Sequence, residues 1–155
     1  MLEKPEITKT KAQPAAIIHI TIPREEIRQV MGPGYHELME AIKAQGVKPT
    51  GPWFSHHLKM DPKVFDFEIG VPVEKPIEAR GRVQSGELPA ATVARTVYRG
   101  SYEGLPTAWG EFESWIKKEG LETQSDMWEV YAKGPETGTD PATWETELNH
   151  PLAKG

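Results

Sequence analysis

Residues 15–23, AAIIHITIP, are β-branched and end at a proline, which predicts a strand. From 24 to 45 the apolar positions Ile27, Val30, Met31, Tyr35, Leu38, Met39 and Ile42 fall three and four apart, the stripe of an amphipathic helix. GPG at 32–34 interrupts that stripe, so the pattern predicts a short helical turn and then a helix from about 34 to 45. Gly46 is placed to cap it. PWFSHHLK (52–59) and KVFDFEIGVPV (63–73) predict two strands flanking a DP turn. EKPIEARGRVQSGEL (74–88) is polar and rich in turn formers, which predicts a connector.

The same order then recurs. AATVARTVY (90–98) predicts a strand, and YEGLPTAWGEFESWIKKEG (102–120) a helix with Leu105, Ala108, Trp109, Phe112 and Ile116 on one stripe. DMWEVYAK (126–133) and TWETELNHPL (143–152) predict two more strands around the loop GPETGTDPA. The recurrence extends to single residues. YHELMEAIKAQGV (35–47) lies over WGEFESWIKKEGL (109–121), matching Tyr35 to Trp109, Leu38 to Phe112, Ile42 to Ile116 and Gly46 to Gly120. FDFEIGVPV (65–73) lies over WETELNHPL (144–152), matching Phe65 to Trp144, Glu68 to Glu147 and Pro72 to Pro151. The expected fold is α+β: two tandem βαββ repeats, about 15–73 and 89–152, joined by the connector 74–88. Pseudo-twofold symmetry, two main helices and a central cleft at the junction follow from that pattern. A half of this size buries little alone, so the two are expected to share one domain over residues 1–155.

Composition narrows the function. With 155 residues, 37% apolar and 26% charged, the chain has the make-up of one globular domain. A net charge of -5 argues against direct nucleic-acid binding, which needs a clustered basic surface. The absence of cysteine excludes disulfides, thiolate catalysis and Cys-type zinc sites. No apolar run approaches the roughly 20 residues that span a bilayer, and MLEKPEITKTKAQPA has no apolar centre of a signal peptide. The expectation is a soluble cytoplasmic protein without membrane association. His56 and His57 are neighbours on a strand and point to opposite faces, so no metal site is expected. No nucleotide-binding glycine pattern or GxSxG elbow occurs, and no cofactor is expected.

One strand carries a candidate for chemistry. In an extended Met-Trp-Glu-Val-Tyr-Ala, Met127, Glu129 and Tyr131 share a face, and Trp128, Val130 and Ala132 share the other. The second face is wholly apolar and suits helix packing, so the first is expected to line the cleft. Sulfur, carboxylate and phenol together fit a cation or an electron-poor ring. A desolvated carboxylate there would titrate high and act as a base near neutral pH. The repeat supplies a control: Glu68 matches Glu147 and Asp66 matches Glu145, whereas Glu129 falls opposite Ser55. Acids with twins are explained by shared architecture. Glu129 is not, although a solvated strand position is the plain alternative. Tyr131 is placed to donate to a ligand or to Glu129. Trp109 sits on the helical stripe, where core packing competes with a ligand role. Tyr98 and Tyr102 flank the start of the second helix and the cleft mouth, and Trp53 is the counterpart of Met127 on the opposing wall. Arg95 is expected to pair with a nearby acid.

The pieces FDFEIGVPV, GELPAATVARTVYRGSYEGLPTAWGEFESWI, WEVYAKGP and TELNHPL, in this order and spacing, resemble the GyrI-like small-molecule-binding domain. That family is also known as the AraC-type effector-binding domain and includes the ligand domains of multidrug-responsive regulators. The resemblance covers about residues 5–152. It implies two βαββ units forming a curved antiparallel sheet with a central ligand pocket, a lipophilic and often cationic ligand, and a buried pocket acid that falls on Glu129. Because this sequence shows no DNA-binding domain like that of the regulator members, direct DNA regulation is not expected. The resemblance leaves three functions open: binding of lipophilic, aromatic or cationic compounds; detoxifying hydrolysis of cyclopropanoid electrophiles, with Glu129 as base and Tyr131 as proton donor; and a protein partner role such as modulation of DNA gyrase.

Overall fold

The computed structural model describes residues 2–60, 63–134, 138 and 140–153. The chain divides into two compact units, Lys11–Ala90 and a second made of Met1–Thr10 with Ala91–Gly155. Each is α+β, a four-stranded antiparallel sheet with one long helix.

In the Lys11–Ala90 unit the elements are β2 (Gln13–Pro23), α1 (Ile27–Ala44), β3 (Phe54–Met60), β4 (Val64–Pro72) and β5 (Gln84–Leu88). The other unit contains β1 (Glu6–Lys9), β6 (Thr92–Arg99), α2 (Leu105–Lys118), β7 (Met127–Lys133) and β8 (Glu145–Pro151). Strand order is β3-β4-β2-β5 in one and β1-β6-β8-β7 in the other. The βαββ order predicted from sequence thus occurs twice. A short 3-10 turn precedes both helices, Arg24–Glu26 and Tyr102–Gly104. Both helices end before a glycine in the left-handed region, Gly46 at φ 67° and Gly120 at φ 71°, a conformation that costs other residues free energy.

Two strands lie where the apolar pattern predicts none. β5 falls inside the expected connector and pairs with β2, and β1 lies in the polar N-terminal stretch and pairs with β6. Both sit at a sheet edge and are mostly exposed, so they lack the alternation that marks a half-buried strand. Helix α1 also differs from expectation, running unbroken through GPG with Pro33 inside it. Pro33 and Gly32 are exposed, so water can satisfy the carbonyl that the missing N–H would have bonded. Gly32 has no Cβ to clash with the proline ring. Gly34 faces inward, where a Cβ would lie 2.7 Å from Ile69 Cδ1. The glycine lets α1 approach β4 closely.

Each helix lays its stripe on its own sheet. Leu38, Ala41 and Ile42 pack on Ile18, Phe67, Ile69 and Val71. Ala108, Trp109, Phe112 and Ile116 pack with Ala94, Tyr98, Met127 and Leu148. Burial of such side chains contributes roughly 1.5–3 kcal/mol each.

Candidate functional site

The site lies within the unit of α2, where Trp109 of that helix meets Glu129 of β7. Its placement begins with Tyr98 on β6, whose hydroxyl donates to the Ser101 carbonyl at 2.9 Å. Its ring lies under the turn that leads into α2. A Cβ on Gly100 or Gly104 would strike that hydroxyl, and Gly100 has φ 145°. Glycine is therefore required where the chain bends over Tyr98. The turn fixes the start of α2, and the helical period then sets Trp109 against the sheet, 9% exposed.

Glu129 occupies the middle of β7, opposite Leu148 of β8, and is 8% exposed. The Trp109 indole Nε1–H donates to Glu129 Oε2 at 2.6 Å. The Tyr131 hydroxyl donates to Oε1 at 2.9 Å. Each carboxylate oxygen therefore holds one neutral donor and keeps lone-pair capacity. No ion pair joins Glu129 to a cation among the described residues. Burial pushes its carboxyl above the usual carboxylate range, and the hydrogen bonds from Trp109 and Tyr131 act against that shift by favouring the ionised form.

This arrangement corrects one expectation. The face expected to meet the helix was that of Trp128, Val130 and Ala132. The structure puts α2 on the other face, with Met127 in the α2 core and Trp109 bonded to Glu129. The strand alternates as predicted, but Trp128 and Met127 are both buried, so apolar character does not choose between the faces. The indole N–H chooses, because a buried acid needs a donor.

An aromatic group continues from Tyr131. Tyr102 lies edge-on to it, with centroids 5.8 Å apart, and tilts against Trp144 at 5.1 Å. The Trp144 indole N–H donates to the Gly138 carbonyl at 3.0 Å. Glu129, Tyr131, Met127, Trp109 and Tyr102 are thus brought together in one unit. Tyr98 stands behind them with its hydroxyl engaged. Trp53 belongs to the Lys11–Ala90 unit, where its ring lies 4.9 Å from Tyr35. Trp144, His150 and Glu113 were not singled out from sequence. The match of Trp144 to Phe65 was the available signal for the first, and the helix-side parity of Leu148 for the second.

The strand register supports the equivalence of Glu129 and Ser55. Glu129 pairs with Leu148, Ser55 pairs with Ile69, and Leu148 and Ile69 occupy matched positions. The pair two residues apart in β3 is therefore Ser55 and His57, with Ser55 Oγ 3.2 Å from His57 Nε2. His57 stacks on Phe67 at 5.1 Å, and its pKa is pushed down to about 4, chiefly by burial and then by the charges of His56 and Arg24. It is neutral at pH 7, so this unit offers hydroxyl and imidazole where the other offers carboxylate and phenol.

The acids with twins sit on the strand faces away from the helices. Arg95 Nε donates to Asn149 Oδ1 at 2.7 Å and lies 3.4 Å from Glu147, the acid pairing expected of it. Glu68 lies 3.8 Å from His56. Among the described residues no group of three or more His, Cys, Asp or Glu is arranged to hold a metal ion. No described helix is long and apolar enough to cross a membrane.

Because Glu129 titrates high, its ionisation opposes folding. The unfolded carboxyl ionises in the ordinary range and the folded one above it, so the folded state holds more protons in between. The stabilisation from this group is complete below the ordinary carboxylate pKa and is lost as pH rises through the raised value. Glu129→Gln, which cannot ionise, is expected to gain thermal stability relative to the native protein on going from pH 5 to pH 9. Parallel melting curves across that range would contradict this.

A family model for the GyrI-like small molecule binding domain matches residues 3–153. The C-terminal domain of EcmrR superposes with a TM-score of 0.85 at 20% identity, over 98% of each chain. The chain spans 58% of the longer EcmrR chain seen in a DNA complex. SAV2435 bound to tetraphenylphosphonium gives a TM-score of 0.73 at 12% identity, over 98% of this chain and 95% of that one. A hydrolase encoded by lin2189 of Listeria innocua gives 0.68 at 14% identity, over 97% and 92%. No curated protein matches the chain.

Proposed function

Because the chain belongs to the family of the GyrI-like small molecule binding domain, we propose that it binds a small lipophilic cation with Glu129 as the countercharge. The observation that carries this reading is a buried carboxylate held by two neutral donors without a cationic partner among the described residues. A bound cation would supply the missing charge, where low polarity strengthens the attraction. Tyr131, Tyr102 and Trp144 supply aromatic surface, which attracts cations and apolar rings alike. The tetraphenylphosphonium held by SAV2435 has this combination of charge and apolar area and is the natural probe.

The reading has a definite pH dependence. A cation is attracted only to the ionised form of Glu129, so affinity for tetraphenylphosphonium is expected to rise with pH through the raised pKa and then level off. Below it, each unit of pH weakens binding by up to about tenfold, because one proton must leave. Calorimetric titrations from pH 5 to pH 9 measure this, and a flat profile would remove Glu129 from the reading.

Hydrolysis is a second reading with support in the same geometry. A carboxylate that titrates high can act as a base near neutral pH, and a phenol 2.9 Å away can return a proton. Multiple turnovers of a cyclopropanoid substrate, abolished in Glu129→Gln, would favour it; binding without product would exclude it.

A further inference from the structure

Trp109 holds Glu129, and the residue that in turn holds Trp109 lies on β8. His150 is 7% exposed. Its Nδ1 is 2.5 Å from Glu113 Oε1 on α2, and its Nε2 is 3.2 Å from the Gln124 carbonyl oxygen ahead of β7. The two ring nitrogens are thus engaged by two different elements, α2 and the segment ahead of β7. The imidazole is fixed at both ends and cannot turn without giving up both bonds. Its ring meets the Trp109 indole at 78° with centroids 6.1 Å apart, the T-shaped contact in which an edge faces a ring. That contact depends on indole orientation. Phe112 packs against the indole at 5.7 Å. An apolar neighbour fills space there but does not select which edge of the indole points to β7.

We propose that His150 is the positioning residue of the site: clamped between Glu113 and the Gln124 carbonyl, it orients Trp109 so that the indole N–H stays on Glu129. The ligand consequence rests on the cation reading above; the positioning itself does not. The titratable groups around the acid in this unit are Tyr131 on its own strand, Tyr102 ahead of α2, His150 on β8 and Glu113 on α2. Glu113 is more accessible than His150, half-buried with 41% of its side chain accessible, so the clamp runs from solvent to the buried carboxylate.

The test compares His150→Gln and Glu113→Gln with the native protein. One readout is the Trp109 indole N–H resonance, identified by its loss in Trp109→Phe. The other is tetraphenylphosphonium affinity as a function of pH. In His150→Gln the indole proton is expected to move upfield as its hydrogen bond weakens. On the rising part of the pH profile affinity falls about fivefold, the worth of one hydrogen bond, and the difference closes as pH rises and Glu129 ionises in both proteins. Glu113→Gln keeps an acceptor and gives a smaller change in the same direction. An unmoved indole resonance in folded His150→Gln overturns the proposal, and so does an equal loss of affinity at every pH, the mark of packing alone. Should His150→Gln fail to fold, Glu113→Gln at the half-buried end of the clamp decides on the same criteria. If the native protein binds no tetraphenylphosphonium, the cation reading fails and the indole resonance alone decides the role of His150.

Discussion

Glu129→Gln is expected to keep the fold and to weaken tetraphenylphosphonium binding by roughly 30- to 1,000-fold, the equivalent of about 2–4 kcal/mol for a desolvated charge pair. The fold survives because glutamine has the same shape. Its carbonyl oxygen can accept from the Trp109 indole, and its amide can donate to the Tyr131 hydroxyl oxygen. Only the charge is lost, and with it the attraction for a cation. The residual affinity is the contribution of the aromatic surface of Tyr131, Tyr102 and Trp144. Calorimetry of the variant checks this at a pH where native affinity has levelled off. Affinity within threefold of the native protein would mean that the carboxylate is structural.

Phe112→Ala is expected to have the largest effect on stability. Phe112 is fully buried at the centre of the α2 stripe, between Trp109 at 5.7 Å and Trp115 at 6.5 Å. Deleting a buried phenylalanine ring removes its transfer free energy and leaves a cavity, typically about 3–5 kcal/mol. Against a usual total of roughly 5–15 kcal/mol that is a large share. Urea denaturation should show a lower midpoint with little change in slope, the product giving a loss of unfolding free energy of that size. A loss below about 1 kcal/mol would mean that α2 repacks over the gap.

Much of this was legible in the sequence, for identifiable reasons. Long apolar elements declared themselves: β2, α2, β7 and β8 lie close to their predicted bounds, and the α1 stripe holds its predicted positions although the helix starts at Ile27 and not near residue 34. Gly46 was legible as a helix cap from its place at the end of the stripe, the repeat matched it to Gly120, and both adopt positive φ. The distinctiveness of Glu129 also came from the repeat, and the strand register supports its alignment with Ser55. What was missed lacked a periodic signal. The edge strands β1 and β5 are polar and exposed. GPG reads as a helix breaker, yet an exposed proline and an inward glycine let α1 continue. The helix-bearing face of β7 was misassigned because both of its faces are buried. Alternation sorts side chains into two sets without saying which set meets the helix. That was decided by Trp109, 20 residues away in sequence, offering its N–H to the acid. The His150 clamp was hidden for the same reason, since it depends on Glu113 and Gln124 from other elements.

The most direct test of Glu129 as countercharge is the number of protons released per bound cation. Tetraphenylphosphonium binding is titrated calorimetrically in buffers of different ionisation enthalpy, at a pH on the rising part of the affinity profile. If the cation pairs with the ionised carboxylate, the native protein releases a substantial fraction of one proton per ligand and Glu129→Gln releases none. Tight binding by the native protein without proton release would contradict the account.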